Sequence, residues 1–236
     1  MNPLLYTWWW PRTPADVPIV LMLHSVGEEA VCPVSPNNTV RPAELESLIC
    51  RLQGNGYSLL SISEAARGLK RRSVVLTFDD GCRDNFETLL PIVQRRNCRI
   101  TCFVTNRGEK DPAFLSPSQM REMDASGLVE FGGHTSRHTT LTQASPDEVR
   151  SEIRGNKAWI EDVLGGEIHA FSYPCGQYSP SIVDEVKDAG YSLAVTMEKR
   201  MRPFSADPFR IHRQIMPRGL DGHAAYLLAT RGRYKL

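Results

Sequence analysis

The sequence has little net charge, no long apolar run and no internal repeat. Its 28 basic and 27 acidic residues leave a formal charge of +1, which argues against a broad nucleic-acid footprint. No apolar run is long enough to span a bilayer. The sequence also has no linker that would divide it, so we expect one domain at 18–236, which is long enough for a buried core. An apolar segment at 1–17 precedes this domain.

Cysteine occurs six times, at positions 32, 50, 82, 98, 102 and 175, without the regular framework of a small disulfide scaffold. Apolar neighbours favour buried, reduced thiols in a reducing compartment, although the even count leaves disulfides open. The first twelve residues lack the basic region and the long apolar core of a signal peptide. These observations predict a cytoplasmic protein.

Three consecutive tryptophans, Trp8 to Trp10, stand near the start of the chain. Tryptophan is typical of membrane interfaces, where its ring lies at the level of the headgroups. It also packs well as a large apolar side chain. The cluster therefore has two interpretations: a peripheral contact with the inner membrane surface, or a plug over one end of the fold.

Two adjacent carboxylates, Asp79 and Asp80, follow a run of apolar residues that is typical of a buried strand. Neighbouring side chains on a strand point to opposite faces, so we expect a turn at Gly81 to bring both carboxylates into one cavity. Two carboxylates in one cavity can take different chemical roles. The alternative interpretation is a solvated Asp-Asp-Gly turn.

Two histidines, His134 and His138, follow an apolar segment that ends in two glycines. Histidines four residues apart meet on one face if the turn between them is helical. With Asp80 they make a His-His-carboxylate set, the donors of a catalytic zinc or related divalent site. Asp79 would then be free to act as a base. Packing or surface histidines are the alternative.

Three motifs, taken in order, resemble those of the NodB-type polysaccharide deacetylases, carbohydrate esterase family 4. They occupy residues 77–81 (Thr-Phe-Asp-Asp-Gly), 133–138 (Gly-His-Thr-Ser-Arg-His) and 173–176 (Tyr-Pro-Cys-Gly). The likeness extends from about Pro18 to about Ile215. It implies an α/β fold, a distorted and incomplete (β/α) barrel. It also implies a metal-dependent hydrolase that removes N-acetyl groups from a glycan, releasing acetate and a free amine.

The order of apolar and helical patterns agrees with such a barrel. Apolar runs at 18–23, 73–78, 99–104, 128–131, 168–172 and 191–196 alternate with helical patterns at 42–54, 84–96, 117–126, 146–164 and 180–189. Ser145 and Pro146 predict a helix start, and Gly165 predicts its end. This alternation predicts parallel strands joined by helices.

The resemblance also implies roles for individual residues. Asp80, His134 and His138 would hold a divalent metal, Zn²⁺ first, with Co²⁺, Ni²⁺ or Mn²⁺ as alternatives because a mixed donor set selects weakly among them. Asp79 would be the catalytic base.

The third motif would stabilise the oxyanion through the backbone N–H of Cys175, with Tyr173 and Pro174 beside it at the substrate. Cysteine stands where the family usually has tyrosine, and a main-chain donor tolerates that exchange. A nucleophilic thiol is not needed, since the metal already accounts for the chemistry.

Two histidines compete for the role of general acid. His24 ends the first apolar run, which resembles the first strand of the permuted subgroup, including poly-N-acetylglucosamine deacetylases, where a histidine at this point is the acid. His212 lies near the end of the chain, where unpermuted members carry theirs. We favour His24.

Two departures from the family pattern concern the neighbours of the carboxylates. Phe171 stands where the third motif usually has an arginine that braces the catalytic aspartate, and Arg210 or Arg213 is the candidate substitute. Asp84 is assigned to the start of the helix after the Asp-Asp turn, as a cap.

The expected partner is an N-acetylated glycan or a lipid-linked sugar, with no nucleic acid. Free oligosaccharides, nucleotide sugars and surface polymers present the same N-acetyl group. A carbohydrate-binding barrel without turnover is an alternative that the missing arginine supports and the intact Asp79 opposes. A membrane-surface scaffold is a further alternative, in which the tryptophan cluster is the functional element.

Overall fold

A computed structural model describes residues 18–29, 38–68, 72–198, 204–216 and 219–231. The segment 1–17 with its tryptophans lies outside these ranges, so the domain boundary and both interpretations of Trp8 to Trp10 stay predictions. Among the described helices, none is both long and apolar enough to cross a membrane.

All six predicted strands and all five predicted helices occur in the described residues. The strands are β1 (Ile19–Leu23), β2 (Ser25–Val26), β3 (Thr39–Val40), β4 (Ser58–Leu59), β5 (Ser73–Phe78), β6 (Ile100–Val104), β7 (Val129–Gly133), β8 (Ala170–Ser172), β9 (Leu193–Thr196), β10 (Ile211–His212) and β11 (Gln214–Ile215). The α-helices are α1 (Pro42–Gly54), α2 (Ile62–Arg67), α3 (Leu90–Arg96), α4 (Pro117–Ala125), α5 (Pro146–Leu164), α6 (Pro180–Asp188) and α7 (Gly222–Arg231). Of these elements, β2, β3, β4, β10, β11, α2 and α7 were not predicted.

The main sheet is a nearly closed barrel of parallel strands. Its order is β10-β9-β8-β7-β6-β5-β1-β11, with β4 added beside β5. The edge strands β10 and β11 are separated along the chain by one residue, Arg213, so the two edges of the sheet must lie close together. The predicted distorted, incomplete (β/α) barrel is confirmed.

Strand side chains alternate between two apolar layers. Outward-facing residues pack with the helices in a large cluster that includes Leu21, Leu76 and Phe171. Inward-facing residues fill the barrel in a second cluster, which includes Val75 and Ala170. On β5 and β8 the next inward positions toward the carboxyl ends are polar, Thr77 and Ser172. Along these two strands the barrel interior therefore changes from apolar to polar toward their carboxyl ends.

Helix α5 shows how local sequence defines these elements. The Ser145 hydroxyl accepts a hydrogen bond from the backbone N–H of Glu148 at 3.4 Å, and Pro146 takes the first helical position. The helix ends at Gly165, whose φ of 72° is left-handed. Both predicted boundaries of this helix are confirmed.

The region after the Asp-Asp motif differs from the prediction. Residues Asn85–Leu89 form a π-helical segment before α3, and the Asp84 side chain makes no cap hydrogen bond. The expectation of reduced thiols is wrong at Cys82, which is disulfide-bonded. Cys50, Cys98 and Cys102 are free, as is Cys175.

Candidate active site

The two adjacent aspartates lie at the carboxyl end of β5 and are both buried. Asp80 has φ of 74° and Gly81 has φ of 73°, so the left-handed turn begins one residue earlier than predicted. A left-handed aspartate is uncommon and costs free energy unless its surroundings hold it. This turn breaks the alternation of the strand and brings Asp79 and Asp80 to one site.

His134 and His138 meet through a loop rather than a helical turn. Their ring centroids are 4.8 Å apart at an interplanar angle of 67°. Thr135 and His138 have φ of 63° and 61°, which no helical turn contains. The predicted meeting of the two rings is confirmed, and the predicted helical path between them is wrong.

Gly133 allows β7 to approach its neighbours closely just before His134. A Cβ at this position would lie 2.2 Å from the Tyr191 hydroxyl oxygen and 2.8 Å from Asn156 Oδ1. The same Asn156 oxygen accepts a hydrogen bond from the His134 backbone N–H at 2.9 Å. The glycine therefore belongs to the strand, and its lack of a side chain makes room for the support of His134.

Asp80, His134 and His138 form a cluster with the geometry of a metal site. Asp80 Oδ1 lies 3.6 Å from His134 Nε2 and 3.3 Å from His138 Nε2. Donors about 2.1 Å from a tetrahedral zinc ion are separated from one another by about 3.4 Å. One ligand atom from each of the three residues can be chosen so that all three atoms lie within 4.8 Å of one another.

The surroundings of these donors also fit a cation. Both carboxylate oxygens of Asp80 are buried without a hydrogen-bond partner among the described residues, and such an uncompensated group is costly. His134 Nδ1 lies 2.8 Å from the Ser172 carbonyl oxygen. That contact orients the ring and leaves Nε2 on the side of Asp80, as is typical of metal-binding histidines. The residues present fit a divalent cation.

Burial changes the protonation of this cluster. It raises the pKa of Asp80 to about 6 and lowers the pKa of His134 to about 3. The pKa of His138 is lowered as well, by burial and by the charge of Arg107. The imidazoles are therefore held neutral, which is the form that binds a metal. A cation would in turn favour the ionised Asp80.

Arg213 is fully buried inside the barrel and binds Asp79 with two hydrogen bonds. Its Nη1 donates to Asp79 Oδ1 at 2.6 Å, and its Nη2 donates to Asp79 Oδ2 at 2.7 Å. Further bonds go to the hydroxyls of Thr77 and Ser172 at 3.0 and 2.9 Å. Burial alone would raise the pKa of Asp79, but the guanidinium outweighs it and holds that pKa well below its usual range.

Arg213 thus occupies the role that the missing arginine of the third motif would fill. Arg210, the other candidate, pairs with Asp207 at 3.2 Å and lies over the ring of Tyr178. Phe171 packs in the outward-facing layer. The brace on Asp79 therefore comes from the junction between β10 and β11.

The structure places His24, and not His212, beside the carboxylates. Leu23, the last residue of β1, pairs with Phe78, the last residue of β5, and its carbonyl accepts a hydrogen bond from the Asp79 backbone N–H at 3.0 Å. His24 is the next residue after Leu23, so it lies beside Asp79. His24 also favours the ionised forms of Asp79 and Asp80 electrostatically. His212 lies between the inward-facing Ile211 and Arg213, so it faces outward, with Nδ1 3.7 Å from a Glu198 oxygen.

The third motif forms a short 3₁₀ turn, Pro174–Gly176, which the buried Pro174 begins. Cys175 is exposed with φ of 56°, and its Sγ lies 4.0 Å from the Thr140 hydroxyl oxygen. This contact connects the motif to the loop that carries His138. The Tyr173 ring is fully buried against Phe171 at 5.3 Å, so its side chain is not in the site. A substrate contact by that side chain is therefore corrected to a packing role.

Ser172 is a site residue that lies just before the third sequence motif and was not predicted from it. Besides binding Arg213, its hydroxyl donates to Asp79 Oδ2 at 3.2 Å, and its carbonyl orients His134. A serine at an inward-facing position of a buried strand is the signal that could have identified it.

Arg107 is a second residue near the site that the sequence did not predict. This half-buried cation donates to the Arg137 carbonyl at 3.0 Å and interacts electrostatically with Asp80.

Comparison with known proteins agrees with this geometry. The polysaccharide deacetylase family profile matches residues 66–194, more than half of the chain. The polysaccharide deacetylase-like protein YxkH of Bacillus subtilis (strain 168) is 28% identical over 225 residues, which cover 91% of this chain and 77% of that protein. The poly-β-1,6-N-acetyl-D-glucosamine N-deacetylase of Escherichia coli (strain K12) is 25% identical over 76% of this chain and 34% of its own length.

A solved structure extends the likeness to nearly the whole fold. The Streptococcus pyogenes deacetylase PplD, solved in complex with acetate, aligns with a TM-score of 0.81 and 27% identity, over 93% of this chain and 99% of that one. The profile match, the barrel and the placement of the three motifs agree. The chain belongs to the polysaccharide deacetylase family.

Proposed function

We propose that this protein is a metal-dependent hydrolase that removes N-acetyl groups from an N-acetylated glycan, releasing acetate and a free amine. The observation that carries the proposal is the pairing of a braced carboxylate, Asp79, with the neighbouring donor set of Asp80, His134 and His138. The family and the named activity of the Escherichia coli relative support the substrate class.

Asp80, His134 and His138 would hold the metal, with Zn²⁺ proposed first and Co²⁺, Ni²⁺ or Mn²⁺ as alternatives. A bound divalent cation polarises a carbonyl and lowers the pKa of water. The protein supplies the rest through fixed positions and charges.

Asp79 takes one proton from the attacking water as the new C–O bond forms at the acetyl carbon. Arg213 keeps this carboxylate ionised and fixes its direction. Negative charge develops on the carbonyl oxygen, where the backbone N–H of Cys175 would donate a hydrogen bond. His24 gives a proton to the amine nitrogen, the C–N bond breaks, and acetate and the amine leave.

The alternative of a binding barrel without turnover loses its main support. That alternative rested on the missing arginine, and Arg213 makes the bond to Asp79 instead. The membrane-scaffold alternative depends on residues 8–10, which lie outside the described ranges.

The location of the protein remains a proposal. We retain the cytoplasm, with peripheral attachment at the inner membrane, although the disulfide at Cys82 is more typical of an oxidising compartment. Cell fractionation with immunodetection of the protein tests this. Recovery of the protein in the cytoplasmic and inner-membrane fractions is the expected result, and its recovery only outside the cytoplasm would contradict it.

The substrate itself can be found by mass spectrometry. Free oligosaccharides, lipid-linked glycans, nucleotide sugars and surface polymers are incubated with and without the metal-loaded protein. Loss of one acetyl mass identifies the substrate, and loss from none of these classes would contradict the proposed function.

His24→Ala is expected to lower kcat on an N-acetyl amide by about 10²-fold or more with the metal retained, the effect of removing a general acid. An activated ester needs little protonation of its leaving group, so its hydrolysis should be affected much less. His212→Ala is the matched variant and should do less on both substrates. A normal His24→Ala enzyme with a collapsed His212→Ala enzyme would reverse the assignment.

Replacing Cys175 by glycine should preserve most of the activity. The proposed oxyanion donor is a main-chain N–H, and glycine adopts the left-handed φ of 56° more readily than cysteine. Steady-state kinetics of Cys175→Gly check this prediction. The wild type is measured alongside, before and after treatment with a thiol reagent. A loss of about 10²-fold in kcat would indicate a catalytic thiol instead.

A further inference from the structure

Asp84 has a different role from the helix cap that its position predicts. Its buried carboxylate accepts hydrogen bonds from the Ser25 hydroxyl and from the backbone N–H of Val26. A third bond comes from Asn85 Nδ2 at 2.9 Å. The carboxylate therefore ties the chain after the Asp-Asp motif to β2, which begins one residue after His24.

Asn85 makes the second connection to the same place. Its side chain is fully buried, and Nδ2 also donates to the backbone carbonyl of His24 at 2.9 Å. Asn85 is the first residue of the π-helical segment, an irregularity that is frequent at functional sites. Adjacent residues, Asp84 and Asn85, thus bind the adjacent residues Ser25 and His24.

The Nδ1 atom of the His24 ring is buried without a hydrogen-bond partner among the residues that the structure describes. The location of the imidazole therefore depends on the location of the His24 backbone. A general acid must lie within hydrogen-bond reach of the leaving group, and a displacement of about 1 Å can cost about 10²-fold in rate.

We propose that Asp84, Asn85 and Ser25 are positioning residues for His24. This inference rests on the proposed function, in which His24 protonates the leaving amine. The network joins the acid on β1 to the segment that directly follows Asp79 and Asp80. The network thereby connects the acid to the two carboxylates, although 54 residues lie between His24 and Asp79 along the chain.

Asn85→Ala and Ser25→Ala test the proposal by their dependence on the leaving group. Each should lower kcat on an N-acetyl oligosaccharide by about tenfold or more, as expected for a displaced acid. Hydrolysis of an activated aryl acetate should change by less than about threefold, and metal content should stay at the wild-type level. A merely structural role would reduce both reactions together.

Ser61→Ala is the matched control. Ser61 caps α2 at the other end of the barrel, where its hydroxyl accepts from the Glu64 backbone N–H at 3.4 Å. Its removal should lower the melting temperature without changing the ratio of amide to ester rates. The control separates lost stability from lost positioning.

A double-mutant cycle decides whether the network acts through His24. In the His24→Ala background, adding Asn85→Ala should cause no further loss on the amide, because the group that it positions is gone. Additive losses, or an equal loss on amide and ester, would overturn the inference. Ser25→Ala gives the same test if Asn85→Ala does not fold. If His24→Ala itself spares the amide, the acid assignment has failed rather than the network alone.

Discussion

Replacing His134 by alanine is expected to remove both the bound metal and the activity, with kcat/KM falling by at least about 10³-fold. His134 supplies one of three clustered donor atoms, and its ring is held by the Ser172 carbonyl. Two donors would remain, too few for a catalytic zinc site. Metal analysis of the purified variant and initial rates on an N-acetyl oligosaccharide measure the two losses.

His169→Ala is the matched control for this variant. His169 immediately precedes β8, at the opposite end of the barrel from His134, and lines a separate cavity of about 320 Å³. The His169→Ala variant should keep full metal content and activity. Full activity of a metal-free His134→Ala enzyme would contradict the assigned site.

Arg213→Met should be the most damaging of the substitutions that leave the metal donors intact. It leaves the buried carboxylate of Asp79 unpaired, which typically costs about 3–5 kcal/mol of stability. Activity should fall by about 10²-fold or more, because the base loses both its charge partner and its orientation. Thermal or denaturant unfolding and kcat measure these effects.

The pH dependence of Arg213→Met gives an independent check. In the wild type the folded-state pKa of Asp79 is depressed, so the pair stabilises the fold above the unfolded pKa of about 4. That stabilisation is lost as the pH falls through the folded pKa. Without the guanidinium, burial raises the pKa of Asp79, so the acid limb of kcat/KM should move to higher pH. An unshifted acid limb would contradict the role of Arg213.

Arg154→Met is the control for loss of an arginine–carboxylate pair. Arg154 binds Glu185 at 2.7 Å on the surface, and its side chain is 47% exposed. Exposed pairs contribute about 0–1 kcal/mol. This variant should melt close to the wild type and retain its pH profile.

The sequence predicts the barrel well because its long elements have clear local patterns. The helix Pro146–Leu164 agrees with the prediction at both ends, since a serine cap, a proline and a glycine define it. Helix α2, by contrast, has only six residues and was missed, since a segment so short has no clear hydrophobic period. Its capping box, Ser61 with Glu64, is the signal that could have identified it.

The donor cluster could also be predicted, because parallel strands bring their carboxyl ends to one side of the sheet. The left-handed turns at Asp80 and Thr135 could not, since both residues rarely adopt that conformation. The pairing of Arg213 with Asp79 spans 134 residues and depends on closure of the barrel. From local sequence, Arg210 and Arg213 were equal candidates for the arginine that binds Asp79.

Acetate release tests the central claim most directly. Wild-type protein and Asp79→Asn are stripped of metal, reconstituted with Zn²⁺, and incubated with the N-acetylated glycan identified by mass spectrometry, while free acetate and free amine are quantified. The reconstituted wild type should release acetate and amine in equal amounts, and the stripped protein should release almost none. Asp79→Asn should retain its metal and release both products at least about 10²-fold more slowly than the reconstituted wild type. Equal release by stripped and reconstituted wild type, or by Asp79→Asn, would contradict a metal-dependent deacetylase with Asp79 as its base.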